Sequence, residues 1–210
     1  MSDVRQLTVD ELRDEATAWP VVAERVLGSG EFTTLVQDDI VAPDGETLSR
    51  EYLRHPGAVG IIALDDQDRV AVVRQYRHAV RYRLLEAPAG LLDVEGEEPL
   101  LAARRELAEE VGLAADTWHR LVDLFTTPGI VGERLLIFLA RDLHPVAAPD
   151  GFVKAGEEAE LELTWAPLDD LVHAVLAGEL HNPTLVSGVL ATHAARSLDG
   201  FASLRAGNRP

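Results

Sequence analysis

Residues 99–112, read as PLLAARRELAEEVG, constrain the fold of this chain more than any other stretch. Leu100, Ala103, Leu107 and Val111 follow the helical period and form one apolar stripe that has to dock on a core. Pro99 suits a first helical turn, and Gly112 suits a C-terminal cap. Glu106 and Glu110, four residues apart, share one face beside that stripe, with Glu109 next to them. Like charges at this spacing cost an isolated helix a few tenths of a kcal/mol, so a compensating cation is expected nearby.

The segments around this helix read as strands. Phe32 to Val41 and Thr47 to Arg54 form a predicted hairpin, joined by the turn Pro43-Asp44-Gly45. Ala58 to Leu64 and Val70 to Tyr76 are short apolar runs separated by the acidic turn Asp65 to Asp68, which predicts central strands covered on both faces. Leu121 to Phe125, Leu135 to Ala140 and Leu161 to Trp165 follow as further strands. Leu168 to Ala177 and Pro183 to Ser197 are predicted helices, the second opened by Asn182 as N-cap. Up to about Ala23 the chain is mixed, and Trp19-Pro20 would stop any helix begun at Thr8 or Asp10. Strands on both sides of a central helix, with helices at the end, predict a mixed sheet with helices on its faces, an α/β or α+β layering.

Composition narrows the function. With 36 acidic against 19 basic residues the formal charge is −17, which repels nucleic-acid backbones and anionic membrane surfaces. Neither partner is expected. The absence of cysteine excludes disulfides and thiol catalysis, and no G-x-S-x-G elbow is present for a serine hydrolase. The polar, acidic first residues lack an apolar signal region, and no run reaches a membrane span, so a cytoplasmic location is expected.

Clustered carboxylates without a matching His or Cys set form a hard, all-oxygen site that favours magnesium, with manganese as the alternative, over zinc. The seven histidines are scattered and form no metal-binding spacing. Magnesium held by a few carboxylates completes its shell with water and substrate phosphates, which points to phosphate chemistry. The segment His144 to Glu160 is a long Pro-, Gly- and Ala-rich connection ending in Glu157-Glu158-Ala159-Glu160, the composition of a lid or binding loop.

Glu97, seven further residues and then Arg105-Glu106-Leu107-Ala108-Glu109-Glu110-Val111-Gly112-Leu113 resemble the Nudix box, G-x5-E-x7-R-E-U-x-E-E-x-G-U, where U is aliphatic. Six residues rather than five separate Gly90 from Glu97, so the loop carries one insertion. Arg74-Gln75-Tyr76-Arg77-His78, Leu85-Glu86-Ala87-Pro88-Ala89-Gly90, and Thr127-Pro128-Gly129 followed by Glu133 resemble the ADP-ribose pyrophosphatase branch of that family. Ala87 and Ile130-Val131-Gly132 depart from its usual pattern.

The resemblance implies a Nudix-type α/β/α sandwich with a mixed sheet and an N-terminal strand-rich extension, residues 1–54, before a hydrolase domain, residues 55–210. It implies a metal site of Glu97, Glu106, Glu109, Glu110 and the Ala89 carbonyl, with Arg105 holding the loop or orienting a carboxylate. Arg77 matches the arginine that contacts the diphosphate, Glu133 is expected at the substrate, and Glu158 is the expected base, with Glu157 as competitor. Glu106, Glu110 and Arg105 join Glu158 as the expected catalytic set. The extension is expected to form a homodimer and lend Phe32 to the partner's adenine pocket. The implied reaction is metal-dependent hydrolysis of ADP-ribose to AMP and ribose 5-phosphate. A diphosphatase for another sugar nucleotide or a dinucleotide, and a non-catalytic nucleotide sensor, remain as alternatives.

Overall fold

The structure, a computed structural model, describes residues 4–147 and 162–208. Strand β1 (Val21–Ser29), β2 (Thr34–Val41) and β3 (Thr47–Arg54) form an antiparallel three-stranded sheet. The predicted hairpin, β2–β3, is therefore part of a larger unit in which β1 adds along the free side of β2. Strand β1 has no buried residue, so its sequence lacks the alternation that burial of one face imposes.

The body contains β4 (Ala58–Ala63), β5 (Arg69–Arg77), β6 (Tyr82–Glu86), β7 (Ala89–Leu91), α1 (Pro99–Val111), β8 (Leu113–Phe125) and β9 (Arg134–Pro145). It closes with β10 (Thr164–Pro167), α2 (Leu168–Leu176), α3 (Pro183–Asp199) and β11 (Arg205–Ala206). One sheet has the order β11-β8-β9-β4-β7, with β4 and β9 parallel, and a second has the order β10-β5-β6. Both faces of β4 are buried, and alternate residues feed two cores. Val59, Ile61 and Ala63 pack with Ala102, Ala103, Leu107 and Val111 of α1. On the other face, Ile62 packs with Leu168 of α2 and with Leu185 and Val189 of α3. The result is the α/β/α layering, with the sheet as filling.

Local chemistry fixes the helix ends. Gly112 ends α1 in the left-handed region at φ 66°, which glycine adopts without a Cβ penalty. Asn182 caps α3, its side chain accepting a hydrogen bond from the Leu185 N–H at 2.9 Å, with Pro183 at the first position. Helix α3 comes close to β4 because Gly188 lies against Ile62, where a Cβ would stand only 2.5 Å from the Ile62 side chain. This packing brings the α3 N-terminus to the same cavity as α1. The N-terminal sheet joins the body through the end of β3, where the Leu53 N–H donates to the Ile130 carbonyl at 2.8 Å and the Gly132 N–H donates to the Leu53 carbonyl at 2.9 Å.

Candidate active site

Helix α1 presents its carboxylates to β7, the short strand that β4 holds in antiparallel register through Gly60 and Ala89. Glu110 is buried, and its Oε2 accepts the Ala89 N–H at 3.1 Å. Gly90 lies directly against Glu106. A Cβ there would overlap the Glu106 carboxyl group, so the absent side chain makes the space that this carboxylate occupies.

Arg105 is the cation that the like-charged helix face requires. Its Nε and Nη2 donate to Glu97 Oε1 and Oε2 at 3.2 and 3.0 Å. Its Nη1 donates to Glu106 at 2.7 Å and to Glu109 at 3.0 Å. The Glu97 hydrogen bond is the largest influence on this guanidinium, and despite partial burial the surrounding carboxylates hold its pKa well above the ordinary arginine value. One planar fork therefore spaces three carboxylates.

The site opens onto a cavity of about 1270 Å³. Glu106, Glu109, Glu110, Arg105 and Ala89 line one side; Arg77 and Glu86 line the sheet side; Phe32, His55, Thr126 and Glu133 line the side toward the N-terminal unit. Tyr82, His181 and Asn182 complete it where α3 begins. Glu97 is not among the lining residues and reaches the cluster through Arg105. Glu133 accepts the Thr126 hydroxyl at 2.5 Å, and its Oε1 lies 3.8 Å from His55 Nδ1. His55 Nδ1 also accepts the Gly57 N–H at 3.1 Å. Glu157 and Glu158 lie outside the described residues.

Among the described residues no three His, Asp or Glu side chains converge as they stand on a point where they could hold an ion. The donor chemistry nevertheless suits one. Glu106, Glu109 and Glu110 are oxygen donors on adjacent turns of one helix, and the cradle at Gly90 keeps Glu106 directed into the site. Arg105 now supplies the counter-charge that a divalent cation would supply to the same carboxylates.

The sequence reading gave Glu86, Tyr82 and His181 no role, although all three line the cavity. For Glu86 a signal was present: a carboxylate inside the run Leu84-Leu85-Glu86-Ala87, where strand burial disfavours charge. Tyr82 and His181 are distant in sequence and meet with ring centroids 5.8 Å apart, a contact that only the tertiary fold creates.

A NUDIX domain model matches residues 54–185. The chain is 44% identical over 184 residues to the ADP-ribose pyrophosphatase of Mycobacterium tuberculosis, a match covering 88% of this chain and 86% of that protein. It is 31% identical over 161 residues to the ADP-ribose pyrophosphatase of Bacillus subtilis, covering 77% and 85%. Among solved structures, a crystal structure of an ADP compounds hydrolase superposes with a TM-score of 0.70 at 23% identity, covering 88% of this chain and 97% of that one, which establishes the shared fold.

Proposed function

Because the chain belongs to the NUDIX family, we propose that it hydrolyses the diphosphate of ADP-ribose, with a divalent cation, to AMP and ribose 5-phosphate. The observation that carries this reading is the convergence of the box carboxylates and Arg77 on one cavity.

In this reading Glu106, Glu109, Glu110 and the Ala89 carbonyl hold the metal, and Glu97 supports them through Arg105. Magnesium, with manganese as a substitute, supplies charge neutralisation on the phosphate oxygens and acidifies a bound water when present. Arg77 binds the diphosphate from the sheet side and Glu133 contacts the substrate. Phe32 lines the cavity of its own chain, so in this reading it contacts the adenine there rather than in the partner's pocket. Water attacks one phosphorus, the bond from that phosphorus to the bridging oxygen breaks, and the water proton passes to Glu158, with Glu157 as the competing acceptor. Removing that proton as the new P–O bond forms keeps charge from building on the attacking oxygen.

Residues 1–54 act as an extension to the catalytic body of residues 55–210, and two chains pair through it. Support comes from β1, an edge strand with Val21, Val22, Val26 and Leu27 exposed beside an open ladder. Among the described residues no helix is long and apolar enough to cross a membrane.

Product analysis with magnesium and a panel of ADP-ribose, other nucleoside diphosphate sugars and dinucleotides tests the proposal. Release of AMP and ribose 5-phosphate, with ADP-ribose preferred, is the expected result. Faster cleavage of another member of the panel would reassign the substrate, and binding without turnover would make the protein a sensor.

A further inference from the structure

Glu86 is 2% exposed, among the most deeply buried large side chains of the described structure, and it is a carboxylate. A buried charge is retained only when a partner and hydrogen bonds compensate its desolvation. Here the partner is Arg77, whose Nε donates to Glu86 Oε1 at 2.9 Å and whose Nη2 donates to Oε2 at 2.7 Å, a two-point fork. The register shows how far the arginine reaches. Arg77 pairs with Tyr82 and Val73 pairs with Glu86, so the two residues stand four positions apart along the ladder, roughly 13 Å at about 3.3 Å per residue. The Arg77 side chain therefore lies back along the sheet, past Gln75 and Leu84, to meet a carboxylate set in the cavity wall.

That geometry is not what sheet packing alone would give. An arginine at the exposed end of β5 ordinarily extends into solvent, and an apolar residue at 86 would fill the buried site without a desolvation cost. We infer that Glu86 is a positioning residue: it draws the Arg77 guanidinium into the cavity and fixes its plane there, so that an anionic diphosphate meets a pre-oriented cation. This rests on the reading of Arg77 as the diphosphate contact. Preorganisation of this kind acts on both binding and turnover, because a displacement of about 1 Å at a reacting centre can cost on the order of 100-fold in rate.

The test is a cycle on the full-length protein with ADP-ribose and magnesium. Glu86→Gln keeps the shape and loses the charge, and kcat/KM is expected to fall about 10- to 100-fold with the thermal transition retained. Arg77→Ala is expected to fall at least as far, and the double variant no further than Arg77→Ala alone, because Glu86 acts only through Arg77. Added guanidinium ion is expected to restore part of the activity of Arg77→Ala but none to the double variant, a readout that a purely structural carboxylate would not move. Arg77→Lys covers the case in which Glu86→Gln does not fold. It keeps Glu86 paired but loses the fork, and is expected to lose at least 10-fold. If Arg77→Ala loses activity while Glu86→Gln stays within threefold, or if the two losses multiply in the double variant, the inference is overturned. If Arg77→Ala stays within threefold, the diphosphate reading of Arg77 fails instead, and the inference with it. If the wild type does not cleave ADP-ribose, calorimetry with inorganic pyrophosphate and magnesium replaces turnover. An unchanged affinity in Glu86→Gln then overturns the inference whatever the substrate.

Discussion

Gly90→Ala separates the site from the fold. Gly90 is not in the left-handed region, so alanine is conformationally allowed there. By restricting the unfolded chain, the new methyl stabilises the protein by about 0.4–1 kcal/mol. Against this, its Cβ would overlap the carboxyl carbon, Oε1 and Cγ of Glu106. Overpacking costs about 1–3 kcal/mol in a closed core, but here the obstructing atoms are the far end of a flexible side chain beside a cavity of about 1270 Å³. Glu106 can swing away, so the lower end of that range applies and the net change in stability is within about 1 kcal/mol, or about 2–4 °C for a domain of this size. Swinging away breaks the 2.7 Å pair with Arg105 and takes the carboxylate out of the cluster. Activity should then fall by about 100-fold or more, since misplacing a reacting group by about 1 Å already has an effect of that order. Differential scanning calorimetry together with kcat/KM for ADP-ribose measures both quantities. Activity within threefold of wild type would refute the placement of Glu106 in the site. A transition lowered by more than 10 °C would show that Gly90 serves the fold instead.

Glu110→Gln should abolish turnover and weaken magnesium binding in calorimetry while the fold persists; an unchanged magnesium affinity would remove it from the ligand set. Glu158→Gln should lower kcat by about two to four orders of magnitude, with much smaller losses for Glu157→Gln and Glu160→Gln; a larger loss at Glu157 in single-turnover measurements would move the base there. His119 Nδ1 is buried and lacks a hydrogen-bond partner among the described residues, and burial first, then the nearby Arg141 charge, depress its pKa below the ordinary 6.5. The unfolded chain therefore takes up the proton first as pH falls through 6.5, and the wild type should lose stability relative to His119→Gln between pH 7.5 and pH 5.5, measured as the difference in Tm; a constant difference would refute the depressed pKa. Val26→Lys on β1 should dissociate the proposed dimer in sedimentation, and a wild type that is monomeric at active concentrations would rule the dimer out.

Elements shaped by burial or by capping were legible in the sequence. The apolar runs of β4 and β5, the Gly112 cap and the Asn182-Pro183 start of α3 each follow from local chemistry, and each lies within a residue or two of its expected place. Strand β1 was not legible, because every one of its residues is exposed and nothing in its order distinguishes a paired edge from a loop. The carboxylate face of α1 was readable as a face that needs a cation. The resemblance implied that Arg105 holds the loop or orients a carboxylate, but its simultaneous reach to Glu97 in the preceding loop and to the next turn of its own helix was not legible, because that reach exists only once the loop has folded back. Glu86 was visible as an odd charge in an apolar run, but its partner lies nine residues away, across a strand turn, and four ladder positions off.

The charge of the cavity ties these observations together. Among the described lining residues, Glu86, Asp93, Glu106, Glu109, Glu110 and Glu133 face only two arginines, a formal charge of −4 with histidines neutral. Both arginines already engage carboxylates, Arg77 with Glu86 and Arg105 with Glu97, Glu106 and Glu109. A phosphate oxygen placed about 4 Å from one net negative charge is opposed by about 4 kcal/mol at the effective dielectric near a protein surface, and the lining carries four such charges in excess. That is more than the 1.5–3 kcal/mol that a single charged hydrogen bond to Arg77 typically returns. A wall of this sign admits an anionic substrate only together with added positive charge, and the carboxylates of α1 are where such charge can be bound. Arg105 then has a second consequence: by spacing Glu106 and Glu109 before any cation arrives, it lowers the reorganisation that binding would otherwise require.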